Sequence, residues 1–221
     1  ARILEGGQSV CRDAGIPLAG GHSIDSVEPI YGLVAIGLVN PKHLKRNSDA
    51  RPGDVLILGK PLGVGILSAA LKKDLLDAEA YATMIDATTR LNRPGTELAT
   101  LDGVHALTDV TGFGLLGHTL EMARGANLTA HLDSRAIPFL PNVIDLASSG
   151  IKTGASGRNW ASYGAGVDIS AGAPPFLQDL LTDPQTAGGL LVACAPDARE
   201  SVLKTFRSHG FDRATVIGEL E

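Results

Sequence analysis

The chain has 221 residues, 44% hydrophobic and 19% charged, a balance that supports a packed core and excludes an intrinsically disordered chain. Its formal net charge is -5 and its largest basic cluster is the short stretch from Lys42 to Arg46, which excludes the electrostatic footprint of a nucleic-acid binder. No apolar run reaches the roughly 20 residues of a membrane-spanning helix, and Cys11 and Cys194 lack metal-ligand spacing, which fits a reducing compartment and predicts a cytoplasmic location.

The chain opens at Ala1 inside a helical pattern and without an initiating Met, so it reads as a fragment. Ile3, Leu4, Val10, Cys11 and Ala14 fall near helical spacing with Gly15 as C-cap, predicting a helix over 2–14. After the turn Gly20-Gly21-His22-Ser23, the apolar and small residues 31–39 predict a buried strand closed by Asn40-Pro41. A domain boundary is expected there, dividing residues 1–40 from 41–221.

Beyond it, 55–58 reads as a strand and 64–71 as a helix of small residues. Leu76, Ala80, Met84, Ala87 and Leu91 then mark the core face of a second helix. Strand 105–108, a Gly-rich loop, helix 115–124 and strand 128–132 follow. Residues 142–149 read as helical and 150–172, rich in Gly, Ser and Ala, as loop-dominated. Strand 190–194, helix 196–208 and strand 214–220 complete the chain. Strands alternate with helices, but several connections are too short for a purely parallel sheet, so the predicted class is α/β (α+β) with a mixed sheet and helices.

The densest chemical signal is residues 108–118, between a strand and a helix. A Gly-rich turn admits a ligand close to the backbone, and the N–H groups opening the helix favour an anion such as phosphate. Gly112, Gly114 and Gly117 also satisfy the dinucleotide pattern, with Asp133 about 20 residues on. Asp109 opposes that reading, because its carboxylate would face a pyrophosphate with no cation between them. A carboxylate, phosphates and Mg²⁺ form a more favourable set, so a metal nucleotide is preferred to NAD. A turn or capping carboxylate and close helix–strand packing remain the structural alternatives.

Gly21 and Ser23 could offer an N–H and a hydroxyl to phosphate beside His22. Arg158 could clamp an oxyanion through its planar fork, and Asp183-Pro184 could equally start a turn. No phosphate loop ending in Gly-Lys-Ser/Thr, zinc-binding His pair or nucleophile elbow occurs. Both cysteines sit in packing environments rather than activating ones.

Taken in order, Ala19 to Asp25, Gly59 to Gly63, Thr108 to His118, Arg158-Asn159 with Ser162-Tyr163-Gly164, and Asp183 to Leu191 resemble selenophosphate synthetase (selenide, water dikinase), in the wider superfamily that includes aminoimidazole ribonucleotide synthetase. The resemblance implies ATP-dependent phosphorylation of selenide with release of AMP and phosphate. It also implies a subunit that dimerises through its amino-terminal ATP-binding domain, with residues 1–40 as the tail of that domain and 41–221 as the carboxy-terminal α/β domain. Carried over by motif, Asp109 would hold Mg²⁺ and Gly21, His22 and Ser23 would contact ATP from the neighbouring subunit. Thr108, Thr111, Gly112, Arg158, Asn159 and Asp183 are further expected phosphate or loop contacts.

The family's Gly-rich segment with its catalytic cysteine or selenocysteine and nearby lysine has no counterpart here, nor have its upstream aspartates. The resemblance thus implies a fragment without a catalytic residue and inactive by itself. The competing readings are another ATP-using enzyme of the same superfamily, such as a thiamine phosphate kinase, and a non-catalytic interaction module.

Overall fold

A computed structural model describes all 221 residues in two units, Ala1–Lys42 and His43–Glu221. In the first, α1 spans Arg2–Ala14 and stops at Gly15, whose φ of 73° is left-handed and whose N–H returns to Arg12 O. Such a turn suits glycine, which has no Cβ to clash. Cys11 is the one buried residue of α1.

The strand expected over 31–39 does not form. These residues carry no regular structure, and no backbone group of 17–40 takes part in a backbone hydrogen bond. Val34, Ile36 and Leu38 are 91%, 95% and 104% exposed. The apolar pattern is that of a strand covered on both faces, but a strand also needs neighbours for its N–H and C=O groups, and nothing in this unit supplies them.

The second unit is a five-stranded sheet with helices on both faces. Its elements in order are β1 (Val55–Leu58), α2 (Val64–Leu71), α3 (Ala78–Thr89), α4 (Pro94–Leu98), β2 (Val104–Asp109), α5 (Gly114–Ala126), β3 (Ala130–Leu132), α6 (Val143–Ser148), α7 (Gly154–Tyr163), α8 (Leu177–Leu181), β4 (Leu190–Cys194), α9 (Arg199–Ser208) and β5 (Thr215–Leu220). The strand order is β2-β4-β1-β5-β3.

The α/β class stands, with one correction: instead of a mixed sheet, every ladder is antiparallel. The ladders make β1, β2 and β3 run one way, as strands joined by helical crossovers should. The late strands β4 and β5 run the other way and insert between them, so no two co-directional strands become neighbours.

Alternation sorts the core into two layers. Leu56, Leu58, Leu191 and Ala193 face a cluster that includes Ile66, Leu115, Val143 and Leu180. Ile57, Val192 and Cys194 face another that holds Leu98 from α4 and Val202 and Phe206 from α9. All five residues of β4 are buried, which explains its unbroken apolar sequence. Burial of Phe206 alone is worth about 2–3 kcal/mol. Burial also pushes the Cys194 thiol up to about 12, as suits a packing residue rather than a nucleophile.

Residues 150–172, expected as loop, contain α7, whose start is capped by Thr153 Oγ1 accepting from Ser156 N at 3.2 Å. The short α4 has Pro94 in its first turn, where a missing N–H costs nothing. No helix is long and apolar enough to cross a membrane.

Candidate functional site

β2 delivers Asp109 to its exposed end, and five anchors then hold the turn that leads to α5. Val110 N donates to Gly189 O at 2.9 Å, Gln185 N to Thr111 O at 3.0 Å and Gly114 N to Thr111 O at 3.0 Å. The Asn159 amide nitrogen donates to Gly112 O at 2.9 Å, and the Tyr163 hydroxyl donates to Phe113 O. Gly114 takes a φ of 71°, and a Cβ there would lie 2.7 Å from the Thr182 carbonyl carbon; both the turn and the close approach require glycine.

The outer side of the turn is open. Asp109, Gly112 and Phe113 are exposed, and no side chain caps α5. The Asp109 carboxylate enters no hydrogen bond or ion pair. His118 lies inside, its Nε2 3.2 Å from Thr111 Oγ1. Burial lowers its pKa, opposed by the negative charges of Asp109 and Glu121, so the imidazole is neutral at neutral pH and brings no cation to the Asp109 carboxylate.

The turn 182–189 lies behind this loop. Gln185 Oε1 accepts from Gly63 N and Val64 N at 3.1 and 3.2 Å, and Asp183 Oδ2 from Gly65 N and Ile66 N at 3.0 and 3.2 Å. Four successive N–H groups at the start of α2 are thus satisfied from more than a hundred residues away, in place of a local cap. Asp183, expected among the phosphate or loop contacts, is fully buried, with Oδ1 unpartnered. It is a helix cap with no surface to offer a phosphate.

Burial pushes the Asp183 carboxyl up to about 7. Because an unfolded aspartate titrates near about 3.9, the native state holds the extra proton between these values. The stability this proton confers is fully present below about pH 4 and is lost as pH rises through about 7. Asp183→Asn keeps an oxygen for Gly65 and Ile66 but cannot ionise. Urea midpoints should therefore shift in favour of the variant, relative to wild type, between about pH 5 and about pH 8; a pH-independent difference would refute the assignment.

Lys60 is a structural cation that the sequence reading left without a role. Its Nζ donates to Ala87 O, Arg90 O and Ala187 O at 3.0, 2.6 and 2.7 Å, tying the end of α3 to the turn 182–189. Burial, helped by the Arg90 cation, lowers its pKa to about 8, and the three carbonyls use all its donors. It has none left for a ligand.

Of the other expected residues, Thr108 and Thr111 are half-buried in and beside the loop, and Asn159 holds the loop from within. Arg158 is exposed on α7 and makes no hydrogen bond or ion pair. Gly21, His22 and Ser23 are exposed in the first unit, in a groove of about 610 Å³ lined also by Leu4, Leu18 and Tyr31. No group of three or more His, Cys, Asp or Glu converges as a metal cage. A Mg²⁺ ion nonetheless fits Asp109, because this ion commonly takes one or two carboxylates and completes its shell with phosphate oxygens and water. The anchoring role of Tyr163 has a sequence signal: it lies four residues after Asn159, on the same helix face.

The profile of a family described as AIR synthase related protein, C-terminal domain, matches residues 51–221, and that of the corresponding N-terminal domain matches residues 1–39. A selenide, water dikinase from Pseudomonas straminea is 70% identical over 221 residues, covering 100% of this chain and 62% of the relative. One from Paraburkholderia xenovorans is 69% identical over 220 residues, covering 100% and 62%. The chain thus spans less than two thirds of the length of these relatives. Among solved structures, HypE from E. coli superposes with a TM-score of 0.60 at 23% identity, covering 80% of this chain and 46% of that one, a likeness of fold.

Proposed function

Because the chain belongs to the AIR synthase related protein family, we propose that the full-length protein is an ATP-dependent dikinase that converts selenide, ATP and water into selenophosphate, AMP and phosphate. The identity to selenide, water dikinases favours this substrate within the family. The observation that carries the chemistry is the anchored turn after β2, with an unpaired carboxylate at its start and an uncapped thirteen-residue helix at its end.

In this reading Asp109 holds Mg²⁺, which when bound neutralises charge on the phosphate oxygens. Apart from the Gly114 N–H, which donates to Thr111 O, the N–H groups opening α5 face the same anion, since the helix start carries partial positive charge. Thr108, Thr111 and Gly112 line the approach, and Gly112 leaves room for a phosphate oxygen where a side chain would stand. Arg158, exposed and unpaired, is available to a phosphate that reaches it. Gly21, His22 and Ser23 contact ATP from the first unit, which belongs to the dimerising ATP-binding domain of a cytoplasmic homodimer. Catalysis then rests on positioning and charge neutralisation rather than on a nucleophile from this chain.

Phosphorus NMR on the protein extended to the full length of its relatives, kept anaerobic with ATP, Mg²⁺ and selenide, tests the reading. The expected result is a selenophosphate resonance that grows with AMP and phosphate and depends on selenide. ATP turnover that ignores selenide would point to another substrate of the family, and a folded but inert protein would point to a non-catalytic role.

A further inference from the structure

Asn159 and Tyr163 occupy one face of α7 and reach the same short stretch of backbone. Asn159 is 8% exposed, and its amide nitrogen spends both hydrogens on carbonyls, Gly112 O at 2.9 Å and Thr182 O at 3.0 Å. The Tyr163 hydroxyl donates to the next carbonyl, Phe113 O, and its ring lies against Gly117, where a Cβ would come within 3.1 Å of Cε1. Two consecutive carbonyls of the turn are therefore drawn inward by a single helix.

The peptide unit is planar and trans, so its C=O and N–H point in opposite directions. Holding Gly112 O inward turns the Phe113 N–H outward, to the side where Gly112 and Phe113 are exposed. That N–H has no backbone partner. In a loop without these anchors the peptide could flip, present its carbonyl outward and set a negative dipole beside Asp109. Arranging the donor before the ligand arrives removes that reorganisation from the reaction.

We propose that Asn159 and Tyr163 are positioning residues that lock the Gly112–Phe113 peptide with its N–H outward, making a preorganised anion donor next to Asp109. This rests on the reading of the turn as the site of metal-bound phosphate, and it gives the Arg158-Asn159 and Ser162-Tyr163-Gly164 motifs a physical role. Neither side chain touches the ligand; both act through the carbonyls they hold.

The test uses the full-length protein with Asn159→Ala, Tyr163→Phe and Asp109→Ala, measuring kcat, the KM for ATP, the Mg²⁺ concentration for half-maximal rate, and thermal melting. Tyr163→Phe removes one hydroxyl and keeps the ring, so it decides the matter if Asn159→Ala does not fold. Folded Asn159→Ala should lose about 10- to 100-fold in kcat/KM, and Tyr163→Phe about 3- to 10-fold, each with a raised Mg²⁺ requirement. A merely structural role would lower the melting temperature and leave KM and Mg²⁺ dependence unchanged. Wild-type kinetics in the folded variants beside an inert Asp109→Ala would overturn the proposal alone. Wild-type kinetics in Asp109→Ala would overturn the reading of the turn on which it rests.

Discussion

Asp109→Ala in the full-length protein is expected to reduce turnover about 100- to 1000-fold while changing stability by less than about 0.5 kcal/mol. The two halves of this expectation have separate physical origins. Asp109 is exposed at the end of β2 and its carboxylate is unpaired, so its removal leaves no buried group without a partner and opens no cavity. In the proposed function, this carboxylate, which binds nothing within the protein and stands beside backbone fixed by five hydrogen bonds, takes the external cation. Loss of a metal that neutralises phosphate charge costs several kcal/mol in the transition state, and each 1.36 kcal/mol is about tenfold in rate. Denaturation curves give the first half and initial rates across a Mg²⁺ series the second. A variant with wild-type rates at every Mg²⁺ concentration would remove Asp109 from the metal site.

The second large effect separates two glycines of similar appearance in the sequence. Gly188→Ala should destabilise the 221-residue chain by about 3 kcal/mol or more, because overpacking against backbone cannot be relieved by a rotamer change. A Cβ at Gly188 would sit 1.9 Å from Val110 O and 2.8 Å from Gln185 Cβ. Relief would require the turn 182–189 to part from the residue that follows Asp109. Gly112→Ala, in contrast, meets nothing within 4 Å and needs no positive φ, so it should change stability by less than about 1 kcal/mol. If phosphate approaches at Gly112, that variant keeps its fold and raises the KM for ATP. Urea unfolding of the two variants side by side, with equal losses, would show that the close packing of the two turns is not the source of Gly188's intolerance.

These contrasts mark where sequence reading succeeds. Helix α1, strands β1 and β4 and helix α2 follow directly from a Gly stop or a dense apolar run, since periodicity and turn chemistry act locally. Helix α7 is hidden because Gly154, Ala155, Ser156 and Gly157 read as loop, each glycine costing about 1 kcal/mol in a helix interior. It forms because Asn159, Trp160 and Tyr163 are held by the rest of the fold. At the site, the glycine pattern and Asp109 identify the turn, but not what braces it. Asp183 meets Gly65 across 118 residues and Lys60 meets Ala187 across 127, and no local rule distinguishes a carboxylate that caps a remote helix from one that awaits a ligand. The antiparallel sheet is illegible for the same reason: strand order depends on where the last two strands insert.

The bare segment 31–39 has a consequence for handling the 221-residue chain. It contains neither proline nor charge, and its unpaired N–H and C=O groups on both edges can template pairing with another chain, as in the growth of cross-β aggregates. Val34, Ile36 and Leu38 each gain about 1.5–3 kcal/mol when fully covered, so the drive to self-associate is strong. Gly32 and Gly37 weaken the strand but bring no charge repulsion. Colloidal behaviour of this chain is therefore set by nine residues outside its packed core, and added anionic residues beside them would do more for solubility than any change in that core.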